Sequence, residues 1–491
     1  MRRIFLSVAG GLALASAALY WSLPERHSGP PVIYWISPED ANKHKIIAAF
    51  HQWLADQGLP DVDLRIDNTN QDPTKKLVQA LAGVGADLFD LYGPQMDLFP
   101  RTGVLADVTE EAQQLGFSPE ITYPALKPDF VVNGRQYAFP RNTSANLLWV
   151  NEATLNKYGL PALPARWTAD EFEARGRRFV EAANPPGARQ RAYFANAVPR
   201  EVLRRGLGLG DFNETGTRCT LDDPRNAQVI ERVRRWMLED RLIPTREEDA
   251  AMSADLSGFN SMFSHFTSGR FAMIYAGQWA VMILRSRGTF QLSAVDPPVD
   301  GFPNTELGGG ATVGIYAGSK HHREAVQFLQ FLGSDAFNRL MLGLAESLPP
   351  VPRYAQMQEF LHPPGRENEW VANEAFVKAT LETSLTLSRS PFVLQSVVQR
   401  EETILFEAAI AGRLSPAEAA HAMAERINAE IALSVAADPK LKKLYAEQLA
   451  TQQKIEELRA AGRPVPAAWV TDVFHKAYYR AHGWLEEEPK S

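Results

Sequence analysis

Apolar residues in the first hundred positions alternate between two periods, and each change of period marks an element. At 32–36 the run Val-Ile-Tyr-Trp-Ile is β-branched and aromatic throughout, as a strand requires. Over 40–57 the apolar positions are Ile46, Ile47, Phe50, Trp53 and Leu54, a spacing that follows one helical face. Residues 62–66 alternate apolar and charged, 74–81 return to helical spacing, and 87–92 read as a third strand ending at Gly93-Pro94. Strand, helix, strand, helix, strand predicts an α/β domain whose helices cover a largely parallel sheet. Such sheets bind ligands just outside the strand ends, where the chain turns into the next helix. Tyr34 and Trp35 at the first strand end, and Asp90 and Tyr92 at the third, are binding candidates on that ground.

The theme repeats further on. A strand at 146–150 and a short helix at 152–158 are stopped by Gly159-Leu160-Pro161. Thr168 with Glu171 three residues later forms a capping box for a helix over 169–183. Helical patterns at 227–240 and 258–268 lead into a strand at 271–275, and a short strand follows at 290–295. After a turn-rich stretch over 300–310 come a strand at 312–316 and a helix at 322–332. From Trp370 the pattern is almost wholly helical. Ser415-Pro416-Ala417-Glu418 combines an N-cap Ser with Pro at the first helical position. A charged helix over 440–461 and a short aromatic one close the chain.

At 491 residues the chain exceeds what one core supports, so two or more domains are expected. A net charge of −7 argues against a nucleic-acid binder, and the local basic stretches are flanked by carboxylates, as on solvated helix faces. Arg2 and Arg3 precede an apolar run over 4–23 containing Ala15-Ser16-Ala17, which fits a secretory signal peptide. The run is also long enough to remain as an N-terminal transmembrane anchor, with Tyr20 and Trp21 at the interface. Export is expected in either case, to the periplasm or the outer face of the cytoplasmic membrane. A short linker at 28–31 follows. The single cysteine, Cys219, excludes an intramolecular disulfide.

Catalytic and metal signatures are missing from the sequence. There is no phosphate loop, no His-Glu-x-x-His and no paired Cys-x-x-Cys. Gly206-Leu207-Gly208-Leu209-Gly210 follows a basic helical stretch instead of a strand, so it reads as a plain flexible loop and not a dinucleotide turn. Asp87 and Asp90 are three apart on a strand and so face opposite ways, wrong for two carboxylates flanking one bond. The chain is not expected to be an enzyme or to carry a cofactor or metal.

Five separated stretches resemble the family 1 extracellular solute-binding proteins, the group that includes maltose- and oligosaccharide-binding proteins. They are Gly103 with Leu105-Ala106-Asp107-Val108-Thr109; Leu148 to Glu152 with Tyr158-Gly159-Leu160-Pro161 and Trp167; Phe266 to Trp279 with Gly269, Met273 and Gly277; Ser319-Lys320 and Glu324-Ala325 after Gly309; and Gly412 to Ala420. The resemblance spans about residues 31 to 432. It lacks the family's lipid-anchor Cys and leaves 435–491 as an unmatched helical extension. It implies a type II periplasmic-binding-protein fold, two α/β lobes around a ligand cleft. Lobe 1 would take 31–139 and 301–348, and lobe 2 would take 140–300 and 349–434. It also implies a binding subunit that delivers a small polar ligand, a sugar or oligosaccharide, to the transmembrane permease of an ABC importer. A membrane-anchored solute-binding partner of a sensory receptor is the alternative.

A sugar offers apolar C–H faces to aromatic rings and hydroxyls to polar groups. In the family, the Trp of the Gly-x-Trp motif, here Trp279, stacks on the sugar; a core Trp is the competing reading. Of the neighbours Trp35 and Tyr34, alternation favours Trp35 for the cleft, and Tyr92 is placed similarly. Arg141, Asn142 and Ser144 lie at the first expected crossing between lobes, where relatives place polar ligand contacts and where a hinge turn is the other reading. Gly309 and Gly310 allow a close backbone approach or simply make a turn, and Trp370 is a further candidate.

Overall fold

The computed structural model describes residues 29–253, 258–288, 291–308 and 310–487. The apolar run at 4–23 and Gly309 therefore lie outside the described residues. No described helix is long and apolar enough to cross a membrane.

Two sheets organise the chain. In the first, five strands run in the order Asp63–Asp67, Val32–Ile36, Leu88–Leu91, Thr312–Ile315, Ala138–Pro140. The first three are parallel, and Thr312–Ile315 is antiparallel to both of its neighbours. The helix Ala41–Asp56 starts where Asp40 accepts from the backbone N–H groups of Asn42 and Lys43, and it buries Ile46, Phe50, Trp53 and Leu54. These side chains meet Trp35, Leu88, Phe328 and Phe331 in the lobe 1 core.

The second sheet has six strands centred on Ala145–Asn151, which is antiparallel to Phe271–Gly277, Leu292–Val295 and Thr305–Leu307. Tyr193–Ala195 and Ser384–Leu385 lie at its margins. Thr305–Leu307 belongs to this sheet and Thr312–Ile315 to the first, so the chain passes from one sheet to the other between 307 and 312. The predicted capping box at Thr168 forms, and the predicted N-cap at Ser415 proves to be a capping box with Glu418 as well. Leu148, Val150, Phe172, Phe194 and Trp236 make the lobe 2 core, joined by Met423 and Ile427 of the helix Pro416–Ala437. A third apolar cluster, including Leu91, Ala145, Trp149, Leu348 and Phe376, runs continuously from one sheet to the other.

The extension carries its own small cluster of Ile455, Val465, Val470 and Tyr479, and it is seated on lobe 2. Glu214 receives the Tyr479 hydroxyl, the Gln452 amide (2.8 Å) and the backbone N–H groups of Thr471 and Asp472. Here the reading of 206–210 as a plain flexible loop is corrected. A Cβ at Gly208 would lie 2.7 Å from the Tyr478 hydroxyl, and one at Gly210 would lie 2.7 Å from His475. One at Gly206 would meet the Asp300 carbonyl at 2.6 Å. The glycines are there because other chain segments press against that surface. Cys219 is fully buried beneath it, and burial pushes its thiol well above the ordinary range.

His475 makes this docking pH-dependent. Its Nδ1 lies 2.8 Å from an oxygen of the buried Asp472 carboxylate. Burial works against the imidazolium, but Asp472, with Glu214 nearby, outweighs it and raises the pKa above 6.5. Burial likewise works against the Asp472 carboxylate, which His475 more than offsets, so its pKa is lowered. A pKa raised by folding stabilises fully below the unfolded value and is lost as pH rises through the folded one; a lowered carboxylate is lost as pH falls. Docking is therefore firmest from just above the ordinary Asp range up to about pH 6.5. Backbone hydrogen exchange in the helix Val473–Ala481, corrected for its intrinsic pH dependence, should be several-fold better protected at about pH 6 than at about pH 9. Equal protection at both would show that the imidazole carries no such linkage.

Candidate functional site

The parallel strands Val32–Ile36, Leu88–Leu91 and Ala138–Pro140 all end toward lobe 2, and three backbone crossings leave from this edge. The crossings are bound to one another. Arg141 N–H donates to Ala311 O (2.8 Å), Gly308 N–H to Ser144 O (3.0 Å), and Thr143 and Leu348 exchange a pair of bonds at 3.1 and 3.0 Å. Two predicted residues are taken up by this zipper. Asn142 Oδ1 accepts from Ala311 N–H at 2.9 Å. Ser144 Oγ accepts from Gln278 N–H at 3.1 Å and contacts Gly308 O at 3.4 Å. Gly310 lets the crossings touch, since a Cβ there would lie 2.5 Å from Asn142 O.

Under the crossings lies a buried polar knot centred on Asp90. Its carboxylate accepts from the Trp35 indole (3.0 Å) and the Ser37 hydroxyl (2.6 Å), with the Tyr92 hydroxyl at 3.5 Å. Lys76 Nζ donates to the Asp90 carbonyl at 2.7 Å. The Arg141 guanidinium sits 3.6 Å from Asp90 and 3.7 Å from Glu346, and its Nε and Nη1 have no hydrogen-bond partner. Burial opposes its charge, but Asp90, Tyr92 and Glu346 together raise its pKa further. Burial also raises the Tyr92 phenol, with the Asp90 charge adding to it. Glu346 follows Ala345, whose φ of 46° is left-handed at a helix end, and it accepts from Asn42 at 2.6 Å.

The other predicted residues separate. Trp35 is wholly buried against Phe328, whereas Tyr34 is 45% exposed on the opposite strand face beside Arg65. Trp279 is half-buried; its indole folds over Gly277 next to Ser144 and meets Phe263 edge-on. Trp370 stays apart: its indole donates to Pro363 O and its ring lies against His362.

Of two adjoining cavities, the first opens between the lobes and the second lies within lobe 2. The first, about 290 Å³, has Tyr92, Met96 and Asp129 on the lobe 1 side, Asn146 and Arg389 opposite, and Gly310 in its wall. The second, about 420 Å³, lies between the helices Arg200–Gly206 and Gln395–Ile410, which contribute Arg200, Glu201, Arg204, Gln399 and Glu402. Glu306 and Leu387 line both. The sequence reading missed Asn146, Glu306, Arg389 and the Arg200–Arg204 group. Its one usable signal was the basic stretch before Gly206, noted only as helical, where Arg204 and Arg205 are 2% and 1% exposed.

The lining offers hydrogen-bond donors and acceptors, with charges mostly in pairs. Arg389 reaches Asp129 at 2.6 Å, Arg204 reaches Asp211 at 2.6 Å and Glu402 at 3.0 Å, and Arg205 reaches Glu201 at 2.5 Å. Burial raises the Glu201 carboxyl, and Asp211 and Glu306 add to this against the pull of Arg205. Among the described residues no group of three His, Cys, Asp or Glu side chains is placed to hold a metal ion. Such a lining can bind a polar, hydroxyl-bearing molecule by hydrogen bonds.

The family model for bacterial extracellular solute-binding proteins matches residues 41–338. No curated protein matches the sequence. Among solved structures, an ABC substrate-binding protein of Listeria monocytogenes in complex with cycloalternan is similar, with a TM-score of 0.69 and 19% identity, over 82% of this chain and 99% of that one. The GacH receptor of Streptomyces glaucescens, solved unliganded and with acarbose, follows at 0.65 and 18% over 83% and 99%. Maltose-bound MalE3 of T. maritima gives 0.63 and 17% over 81% and 98%. The two-lobed fold is common to all of them.

Proposed function

Because the chain belongs to the bacterial extracellular solute-binding proteins, we propose that it is the exported capture subunit of an ABC importer. It takes a sugar or oligosaccharide between its lobes and presents it to a membrane permease. The observation that carries this reading is the interlobe cavity at the strand ends, lined by hydrogen-bonding side chains on both lobes and adjoined within lobe 2 by the second cavity. A ligand touching both lobes favours the closed arrangement by its differential contacts, which is what capture requires. Carbohydrates held by the structural relatives, namely cycloalternan, acarbose and maltose, support the ligand class. In this reading Tyr92, Asn146 and Glu306 contact the ligand directly, and Arg141 and Asp90 fix the wall behind them. Trp279 closes the lobe 2 side, with Gly310 leaving room for the ligand's approach. The apolar run at 4–23 carries the chain across the cytoplasmic membrane.

A thermal-shift screen of the full-length protein against mono- and oligosaccharides, polyols and amino acids tests this. A ligand that binds only the folded state at about a hundred times its Kd stabilises by roughly 2.7 kcal/mol, so a saturable rise in Tm with one saccharide class is expected. A rise with amino acids alone, or with nothing in the panel, would overturn the carbohydrate assignment.

A further inference from the structure

Charge accounting in the two cavities leaves one group over. Asp129 faces Arg389, Asp211 and Glu402 share Arg204, and Arg200 lies 3.8 Å from Glu402. Glu201 faces Arg205, which also lies within the field of the tail's Asp472. Glu306 has no Lys, Arg or His nitrogen within ion-pair distance among the described residues, although it is the one acidic side chain lining both cavities. Its position is built. Oε2 accepts from the Tyr275 hydroxyl at 2.9 Å and from the Asn146 amide at 3.2 Å, while Oε1 has no partner among the described side chains. The strand pairing that places Glu306 opposite Asn146 fixes the carboxylate at the junction.

We infer that Glu306 selects the ligand's charge: the molecule held at the junction carries an ammonium group, as an amino sugar does, and docks it on the free carboxylate oxygen. This rests on the carbohydrate reading above and narrows it. When a ligand fills the cleft and displaces water, a carboxylate without a countercharge becomes costly. A neutral hydroxyl would supply one hydrogen bond and leave the enclosed charge uncompensated. An ammonium supplies the bond and the charge together, and charge-assisted hydrogen bonds are roughly twice as strong as neutral ones. The two donors already on Oε2 hold the carboxyl group in place, so little reorganisation accompanies docking.

Titration calorimetry of the full-length protein with three probes decides the matter: the glucosamine trimer, its N-acetylated counterpart and maltotriose. The cationic trimer should bind about tenfold or more tighter than the N-acetylated one, the usual scale for one charge-assisted contact. Glu306→Gln should erase that preference, its loss for the cationic trimer exceeding its loss for maltotriose by about tenfold or more. In the unaltered protein, no preference for the amine alongside measurable maltotriose binding would overturn this inference and leave the carbohydrate reading standing. An equal loss of both kinds of ligand in Glu306→Gln would also overturn it, making Glu306 a hydroxyl acceptor only. No binding by any of the three would overturn both readings.

Discussion

Replacing Asp90 with Ala is expected to destabilise the protein by about 3–5 kcal/mol, the range found when one partner of a buried charge cluster is removed. Asp90 is fully buried and is the common acceptor for the Trp35 indole and the Ser37 hydroxyl. Without it, both donors lose their acceptor, and the Arg141 guanidinium keeps only Glu346, at 3.7 Å. Asp90→Asn retains an oxygen for one of the donors but removes the charge facing Arg141, so an intermediate loss of roughly 1–3 kcal/mol is expected. Urea unfolding, read by hydrogen exchange in the strands Val32–Ile36 and Leu88–Leu91, localises the effect to lobe 1. A loss below about 1 kcal/mol for the Ala variant would mean that the knot is solvated and contributes little to the fold.

Gly310→Ala should be nearly as damaging, for a steric reason. Its new methyl would lie 2.5 Å from Asn142 O and 3.0 Å from Thr143 Cα, both backbone atoms that no side-chain rotation can move. The crossings must separate, at a cost of about 2–4 kcal/mol, and the bonds that join them lengthen. Because the cleft walls hang from these crossings, ligand affinity should fall by about tenfold or more, as misplaced contacts usually cost. Gly343→Ala provides the control. A Cβ there meets nothing within 4 Å, and the helical position should gain up to about 1 kcal/mol. If the two variants behave alike in stability and ligand titration, the close approach at Gly310 has no consequence.

Many of the elements were legible because they satisfy local rules. The helix Ala41–Asp56 shows its buried stripe in the spacing of Ile46, Phe50 and Trp53, Thr168 announces its helix through a capping box, and Ser415 announces its own through an N-cap followed by Pro. The order of motifs was enough to anticipate two lobes and several crossings. The site was much less legible, because a cleft is made by residues distant in sequence. Glu306 sits in a turn-rich stretch with no pattern of its own, and only its register opposite Asn146 brings it to the junction. Arg204 and Arg205 look like solvent-facing charges until Asp211, Glu402 and Glu201 enclose them. Trp35 and Asp90 drew attention as strand-end residues, yet each is taken up by the other, which alternation along a strand does not reveal. The glycines at 206–210 carried no sign of the aromatic tail segment, more than 260 positions later, that packs on Gly208 and Gly210.

The bonded crossings also bear on how much entropy capture consumes. Backbone segments tied at Arg141–Ala311, Ser144–Gly308 and Thr143–Leu348 resist sliding past one another, which narrows the relative motion open to the lobes. A freely tethered pair of domains would surrender several rotational and translational freedoms on closing around a guest. Here most of that loss is already met by folding. Affinity should therefore track the quality of the contacts in the cleft, with little of it diverted to ordering the two halves.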